Sequence, residues 1–340
     1  MNDTPLPFDD VKSLIEKMPP LISEMAKMHE ARFKDLIFPE GLESISGLSR
    51  HLSLCQQKHP PEANRLELAL FAGAHGVASQ RITKKTQQNV ADYVAAIQQG
   101  TAPLNQICAQ YGAGLKVFEV GADLPTEDIT NESAMSEKEA VATVAFGMEA
   151  VAQGGDILAL TSSGAGGNFI ATVLAAYILG GEAEDWLALE DATGEAEFKR
   201  QIECFHAVKK RHDADYEPLE LLRRVGGREI AALIGAIIAA RYQSIPVLLD
   251  SLSALVAALL LKQMRADAVD HCLVAHVAEH QAFINILNAL EMRPIIDMNF
   301  APDGGMGAAT TFGIIKSAVA VHVYTGHEDI KDKVKQQKTA

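Results

Sequence analysis

The chain of 340 residues is long enough for one large α/β domain, or for one domain with a smaller companion. Hydrophobic residues make up 48% and charged residues 22%, which is typical of an ordinary soluble globular protein. The formal net charge of −14 argues against non-specific binding to nucleic acid and against binding to anionic membrane surfaces.

The cysteines are widely scattered and contain no Cys-x-x-Cys pair, so they indicate neither a zinc site nor a redox motif. We find no signal peptide, and the apolar stretches 230–240 and 252–261 are too short to span a bilayer. We therefore expect a protein of the reducing cytoplasm, with no membrane and no nucleic acid among its partners.

The first 63 residues are predicted to be helical and separate from the strands that follow. Apolar residues recur at helical spacing, and Pro19-Pro20 interrupts them. A linker, His59-Pro60-Pro61-Glu62, closes this region. The predicted elements here are helices at 11–18, 22–33 and 42–54, with a turn at 38–41.

A buried strand is predicted at 66–71, and small residues follow it up to Val77. Ligands usually lie at the carboxyl ends of parallel strands, so this stretch is a candidate binding segment. His75 within it has two interpretations: a turn histidine bonded to the local backbone, or a ligand contact.

The next segment alternates helices with a strand. Helices are predicted at 84–99 and 102–111, and a strand at 115–120. Ser136 and Glu139 form a capping box that starts another helix.

Residues 157–181 contain the most informative pattern. An apolar strand at 157–160 is followed by the small-residue loop 161–167 and by an apolar helix from Asn168. A strand, a small-residue loop and a helix in this order form an anion site, because backbone N–H groups and the helix dipole favour negative charge. The alternative is a tight turn that binds nothing.

Beyond residue 181 we predict a weak strand at 186–189, an acidic turn at 190–191 and a surface helix at 196–211. Gly226-Gly227 precedes an apolar helix at 230–242 and is a second candidate anion site. The strand 245–250 ends in Asp250, which either binds sugar hydroxyls or caps the helix that follows it.

The last predicted strand is 271–275. His276 and His280 are four residues apart and could share a helical face, but the order His-Glu-x-x-His is missing, so we predict no metal site. A glycine-rich loop at 298–309 opens a helix that reaches about residue 322. The residues from 327 onward are charged and predicted to form a surface helix or a frayed end.

Strands alternate with helices through residues 66–276, which favours a parallel sheet covered on both faces. The predicted fold class is therefore α/β, a Rossmann-like parallel sheet with helices on both faces plus a small helical domain from both chain ends. We assign residues 64–304 to the large domain, and residues 1–63 together with 305–340 to the small one.

The order of these segments resembles the family of nicotinate-nucleotide:dimethylbenzimidazole phosphoribosyltransferases. Val225-Gly226-Gly227-Arg228-Glu229-Ile230, for example, resembles the Val-Gly-Gly-Phe-Asp-Leu motif of that family. Each motif is weak alone, but their shared order covers nearly the whole chain. The other segments that carry the resemblance are 74–77, 118–123, 245–250, 292–294 and 304–309.

The resemblance implies transfer of phosphoribose from nicotinate mononucleotide to 5,6-dimethylbenzimidazole or a related azole, which yields α-ribazole phosphate and nicotinate. It implies a homodimer, no cofactor and no metal. A carboxylate must accept the benzimidazole proton, and the family glutamate aligns with Gly304, so its neighbour Asp303 is the expected catalytic base.

The remaining site residues are also implied by the resemblance. Ser163 stands where the family has an acidic residue, and Gly304 where it has the catalytic glutamate, which favours an alternative: a nucleotide-binding paralogue that has lost the base. A nicotinamide-dependent oxidoreductase is disfavoured because the loop after the first strand lacks the dinucleotide fingerprint. The expected phosphate and nucleotide contacts are Ser163, Gly164, Ala165, Gly166, Gly167, Asn168, Gly226, Gly227 and Asp250, and the expected acceptor contacts are His75, Thr83, Gln88, Gly304 and Gly305.

Overall fold

A sheet of parallel strands lies at the centre of the computed structural model, which describes residues 7–36, 40–189 and 192–326. The strands are β1 (Leu66–Ala74), β2 (Gly114–Glu119), β3 (Ile157–Ala165), β4 (Val247–Leu249), β5 (Cys272–Val277) and β6 (Pro294–Asp297). Within the described residues these six strands form one sheet in the order β2-β1-β3-β4-β5-β6.

Helices precede, connect and follow these strands, and each pair of neighbouring strands is parallel. The helices are α1 (Pro7–Glu16), α2 (Glu24–Lys34), α3 (Glu43–Gln56), α4 (Gln87–Gln98), α5 (Pro103–Tyr111), α6 (Glu137–Gly147), α7 (Gly167–Leu179), α8 (Ala183–Trp186), α9 (Glu195–Arg211), α10 (Pro218–Val225), α11 (Arg228–Tyr242), α12 (Leu252–Met264), α13 (Gln281–Leu290) and α14 (Met306–Tyr324).

The sheet is covered on both faces, as its apolar strands predict. Alternate residues of β1 point to opposite sides: Leu68 and Leu70 belong to one buried cluster, and Ala69 and Phe71 to the other. Helices α7, α11 and α12 cover the second face, while α4, α5 and α14 cover the first. The predicted α/β class is therefore confirmed.

The strand order creates a crevice at one edge of the sheet. From β1 the chain moves outward to β2, whereas from β3 it moves the other way, to β4. Since β1 and β3 are neighbours, the connections diverge at their carboxyl ends, where open α/β sheets bind ligands. The segments after Ala74 and Ala165 meet at this point.

The helices near the two chain ends occupy different places. Helix α1 packs against α6, and its residues Phe8, Val11 and Ile15 belong to the larger buried cluster. Helices α2, α3 and α14 pack together instead. The proposed division into a large and a small domain stays a prediction.

Helix α14 is, among the described residues, the one helix long and apolar enough to cross a bilayer by length and composition. Its residues Ala309, Phe312 and Ile315 are buried in the cluster that covers one face of the sheet. Burial against the sheet accounts for its apolar composition.

Several local predictions differ from the structure. The prediction of a strand at 186–189 was wrong, because Trp186 ends the short helix α8. Its apolar side chain is buried against neighbouring helices and does not belong to a sheet. The prediction that 271–275 is the last strand was also wrong: β6 follows it as a half-buried edge strand that begins at a proline. His280 lies just before α13 while His276 is in β5, so the two do not share a helical face. The predictions for 38–39, 190–191 and 327–340 lie outside the described residues.

Candidate active site

A cavity of about 320 Å³ lies at the carboxyl edge of the sheet, where the segments after β1, β3, β5 and β6 converge. Of the residues expected in the site, Thr83, Gly164, Gly166, Asn168 and Asp303 line it. Several other lining residues were not expected from the sequence, and they come from neighbouring loops and from α7 and α9. These are Ile82, Lys85, Phe169, Thr172, Leu187, Glu197, Gln201, Glu279, His280 and Pro302.

The turn between β3 and α7 forms one wall of the cavity. The strand is longer than predicted and continues to Ala165, so Ser163 is a buried strand residue and not part of a loop. Gly166 follows with φ of +85°, a conformation that favours glycine, and α7 begins at Gly167. Gly166, Asn168 and Phe169 at this helix start line the cavity, and the start of a helix suits a bound phosphate.

Behind this turn lies a buried pair of ionisable side chains. His75 Nε2 is 3.0 Å from Glu229 Oε1, and both side chains are almost completely inaccessible to solvent. His75 is therefore not part of the cavity lining, and it does not take the place of the expected acceptor contact. It supports the wall from behind, within 3.5 Å of the positions that a Cβ would take at Gly164 and Gly167.

Gly227, the second residue of the glycine pair Gly226-Gly227, faces the same buried pair. A Cβ at Gly227 would lie 2.3 Å from His75 Cε1 and 2.7 Å from Glu229 Oε2. An anion at this helix start would meet the Glu229 carboxylate, so the second expected anion site does not form part of the cavity. Gly227 instead gives room to His75 and Glu229, and Gly226 packs against Leu222 of α10.

The loop that contains Asp303 forms the opposite wall. Lys85 Nζ donates a hydrogen bond to Asp303 Oδ2, and Asp303 is mostly buried. The Gly304 N–H donates to the Ser162 carbonyl at 2.9 Å, and the Tyr93 hydroxyl donates to the Gly304 carbonyl at 2.8 Å. Three separate elements thus hold the carboxylate at the cavity.

Tyr93 acts as a hydrogen-bond donor in this arrangement. Burial, together with the nearby charges of Asp303 and Asp250, raises the pKa of the Tyr93 hydroxyl above its ordinary value. The hydroxyl therefore keeps its proton at neutral pH and holds the Gly304 carbonyl in place.

Asp250 lies beneath the same loop and is fully buried. Its Oδ2 accepts hydrogen bonds from Gly305 N and from Thr161 Oγ1, both at 2.9 Å, and its Oδ1 accepts one from Ala308 N at 2.6 Å. It does not line the cavity, so the structure does not place it where the expected nucleotide contact would be. Nor does it cap the helix that follows it, because Ser251 caps α12 while Asp250 binds the start of α14.

The other expected acceptor residues divide between the loop and the surface. Gly305 packs against Thr161 and Leu104 and supports the loop from below. Gln88 lies on the exposed side of α4, where its amide donates to Asp92 at 2.8 Å, and it does not line the cavity. Among the described residues, no three His, Cys, Asp or Glu side chains lie close enough to hold a metal ion.

Comparisons with known proteins find relatives over nearly the whole chain. The model of the DBI_PRT family, described as phosphoribosyltransferase, matches residues 18–328. The chain is 39% identical over 326 residues to a nicotinate-nucleotide--dimethylbenzimidazole phosphoribosyltransferase of Sinorhizobium fredii, which covers 95% of this chain and 96% of that protein. A protein of the same name from Allorhizobium ampelinum is 40% identical over 328 residues, with 95% of each chain covered.

A solved structure shows the same fold. The nicotinate-nucleotide-dimethylbenzimidazole phosphoribosyltransferase of Thermus thermophilus superposes with a TM-score of 0.82. The alignment has 24% sequence identity and covers 89% of this chain and 96% of the other.

Proposed function

Because the chain belongs to the DBI_PRT phosphoribosyltransferase family, we propose that it transfers phosphoribose from nicotinate mononucleotide to 5,6-dimethylbenzimidazole or a related azole. The products are α-ribazole phosphate and nicotinate, and the reaction belongs to the synthesis of the cobalamin lower ligand. The observation that carries this proposal is that the glycine turn of α7 and the carboxylate of Asp303 line the same cavity.

The donor phosphate binds at the start of α7. Backbone N–H groups of the first helical turn and the helix dipole favour an anion there, and Gly166 and Asn168 at this helix start line the cavity. Anchoring the phosphate fixes the position of the ribose, so that its C1′ atom faces the Asp303 side of the cavity.

The transfer itself is a displacement at C1′. One ring nitrogen of the benzimidazole forms a bond to C1′ with its lone pair, while the bond from C1′ to the nicotinate nitrogen breaks and its electrons neutralise the pyridinium ring. The proton on the other benzimidazole nitrogen passes to the carboxylate of Asp303, which Lys85 and the Gly304 contacts hold at the cavity.

The assembly and location of the enzyme are also part of the proposal. We expect a homodimer that works in the cytoplasm, with nicotinate mononucleotide and a benzimidazole-type base as its partners and without a cofactor. The resemblance to the family supports the homodimer, the two partners and the lack of a cofactor, and the scattered cysteines support the reducing cytoplasm.

The test measures release of nicotinate by chromatography after incubation with nicotinate mononucleotide and a panel of benzimidazoles. Asp303→Asn should lower kcat by about 10²- to 10⁴-fold, the usual contribution of a general base. Asp92→Asn, a change of an exposed aspartate on α4 outside the cavity, is the matched control and should leave kcat unchanged. Equal rates for Asp303→Asn and wild type would exclude Asp303 as the base, and donor binding without any turnover would favour the non-catalytic alternative.

A further inference from the structure

A buried carboxylate with no direct access to the cavity anchors the loop on which the proposed base lies. Asp250 is completely inaccessible to solvent, yet three donors converge on its two oxygens. Two of those donors, the backbone N–H groups of Gly305 and Ala308, belong to the segment that directly follows Asp303. The third, the Thr161 hydroxyl, belongs to β3.

These bonds tie the loop to the rigid centre of the sheet. Asp250 directly follows β4, and β4 pairs with β3, so the carboxylate is placed by two central strands. The neighbouring residue pairs strengthen the tie: Leu252 N donates to the Pro302 carbonyl at 2.9 Å, and Gly304 N donates to the Ser162 carbonyl at 2.9 Å. Asp303 thus lies between two anchored residues.

The packing around the carboxylate leaves little room for another arrangement. A Cβ at Gly307 would lie 2.0 Å from His276 Cδ2 and 2.8 Å from Asp250 Oδ1, so the start of α14 rests directly on both side chains. His276 Nε2 is 3.4 Å from Asp250 Oδ1, and both side chains are fully buried.

The charge of Asp250 is balanced where it lies. The N-terminal end of the 19-residue helix α14 points its free N–H groups at the carboxylate, which favours a negative charge. Burial lowers the pKa of His276, but the neighbouring Asp250 outweighs burial and raises that pKa above its ordinary value.

We propose that Asp250 is a positioning residue for the transfer step, whose carboxylate fixes the 302–308 loop so that Asp303 stays at the acceptor side of the cavity. This inference rests on the proposed function, because it assigns Asp250 a task in that reaction. It replaces the nucleotide contact expected from the sequence. Asp250 acts on the acceptor half of the reaction and leaves binding of the donor phosphate to the start of α7.

The test compares Asp250→Asn with Asp156→Asn. Asp156 is a matched control, since it is also buried and accepts two backbone N–H bonds, from Asn64 at 2.8 Å and Arg65 at 2.9 Å, but at the amino end of β3. Asp250→Asn should lower kcat by about 10²-fold, the cost of displacing a catalytic group by roughly 1 Å, with the KM for nicotinate mononucleotide changed less than about twofold. Asp156→Asn should leave both constants unchanged even where it lowers the melting temperature.

A second variant tests the same inference if Asp250→Asn fails to fold. Thr161→Val removes one donor and keeps the carboxylate, so it should lower kcat about fivefold, the equivalent of one hydrogen bond. Unchanged kcat in both variants, or a raised KM for the donor with unchanged kcat, would overturn the inference.

A measurement without turnover separates this inference from the proposed function. Hydrogen exchange over residues 302–309 should become faster in Asp250→Asn and stay at the wild-type rate in Asp156→Asn. Equal exchange in the two variants would overturn the inference even if the wild type is active. Absence of nicotinate release by the wild type, in contrast, would overturn the proposed function while the exchange result still reports whether Asp250 anchors the loop.

Discussion

Gly227→Ala tests whether the buried pair behind the phosphate turn is packed as described. The backbone of Gly227 has φ of −143°, which any residue can adopt, so the effect of the substitution is steric alone. The new Cβ would lie 2.3 Å from His75 Cε1 and 2.7 Å from Glu229 Oε2, whereas carbon atoms in ordinary contact are about 3.5–4.0 Å apart. The imidazole therefore has to move by more than about 1 Å, toward Gly164 and Gly167.

The expected cost follows from overpacking of a closed core. Such substitutions destabilise proteins by about 1–3 kcal/mol. For a chain of 340 residues this corresponds to a fall in melting temperature of about 1.5–4 °C, measured by calorimetry. Because the imidazole is pushed into the wall of the cavity, the Kd for nicotinate mononucleotide should rise as well.

Gly47→Ala is the control for this experiment. No atom lies within 4 Å of its Cβ position, and Gly47 is inside helix α3, so alanine there should stabilise the protein by about 0.5–1 kcal/mol. If Gly227→Ala melts at the wild-type temperature and binds the donor normally, the described packing of His75 against Glu229 and the glycines is refuted.

Three further predictions concern the loop, the pH dependence and a helix cap. Lys85→Met should lower kcat roughly tenfold through loss of the Asp303 contact, whereas Lys84→Met, outside the cavity, should not change it. Burial, followed by the charges of His59 and Arg50, lowers the pKa of His29 from 6.5 to about 4. Between these two pH values, His29 is therefore protonated in the unfolded chain but not in the folded one. The unfolding free energy should therefore fall as the pH drops from 6.5 to about 4, and His29→Gln should reduce that fall in urea titrations. Ser136→Ala should cost about 1 kcal/mol in the same titration, because its hydroxyl caps α6, with no change in kcat.

Much of the fold could be predicted from the sequence because its strongest patterns are local. The apolar runs of β1 and β3 and the alternation of strands with helices indicate a parallel sheet without any knowledge of contacts. The cap at Ser136 was also predicted, although the Glu139 carboxylate accepts from Arg228 and does not return to the backbone of Ser136. The strand predicted around Trp186 is absent, since burial against helices and membership of a strand give the same apolar pattern.

The site could be predicted only in part, because its geometry depends on contacts between distant residues. Glycine-rich strand ends indicate a ligand site, and the segments around Gly166 and Asp303 do meet in one cavity. Nothing local reveals that Asp250 binds the start of a helix 55 residues later, or that His75 turns inward to Glu229. Lys85 could have been noticed as a cation close to Thr83, but its partner becomes visible only in the folded chain.

The most direct test of the central claim is nuclear magnetic resonance of the products formed by the wild-type protein from nicotinate mononucleotide and 5,6-dimethylbenzimidazole. We predict one molecule of α-ribazole phosphate for each nicotinate released, since the acceptor nitrogen takes the place of the leaving base at C1′. Release of nicotinate with free ribose phosphate, or no product at all from a protein that binds the donor, would contradict the account.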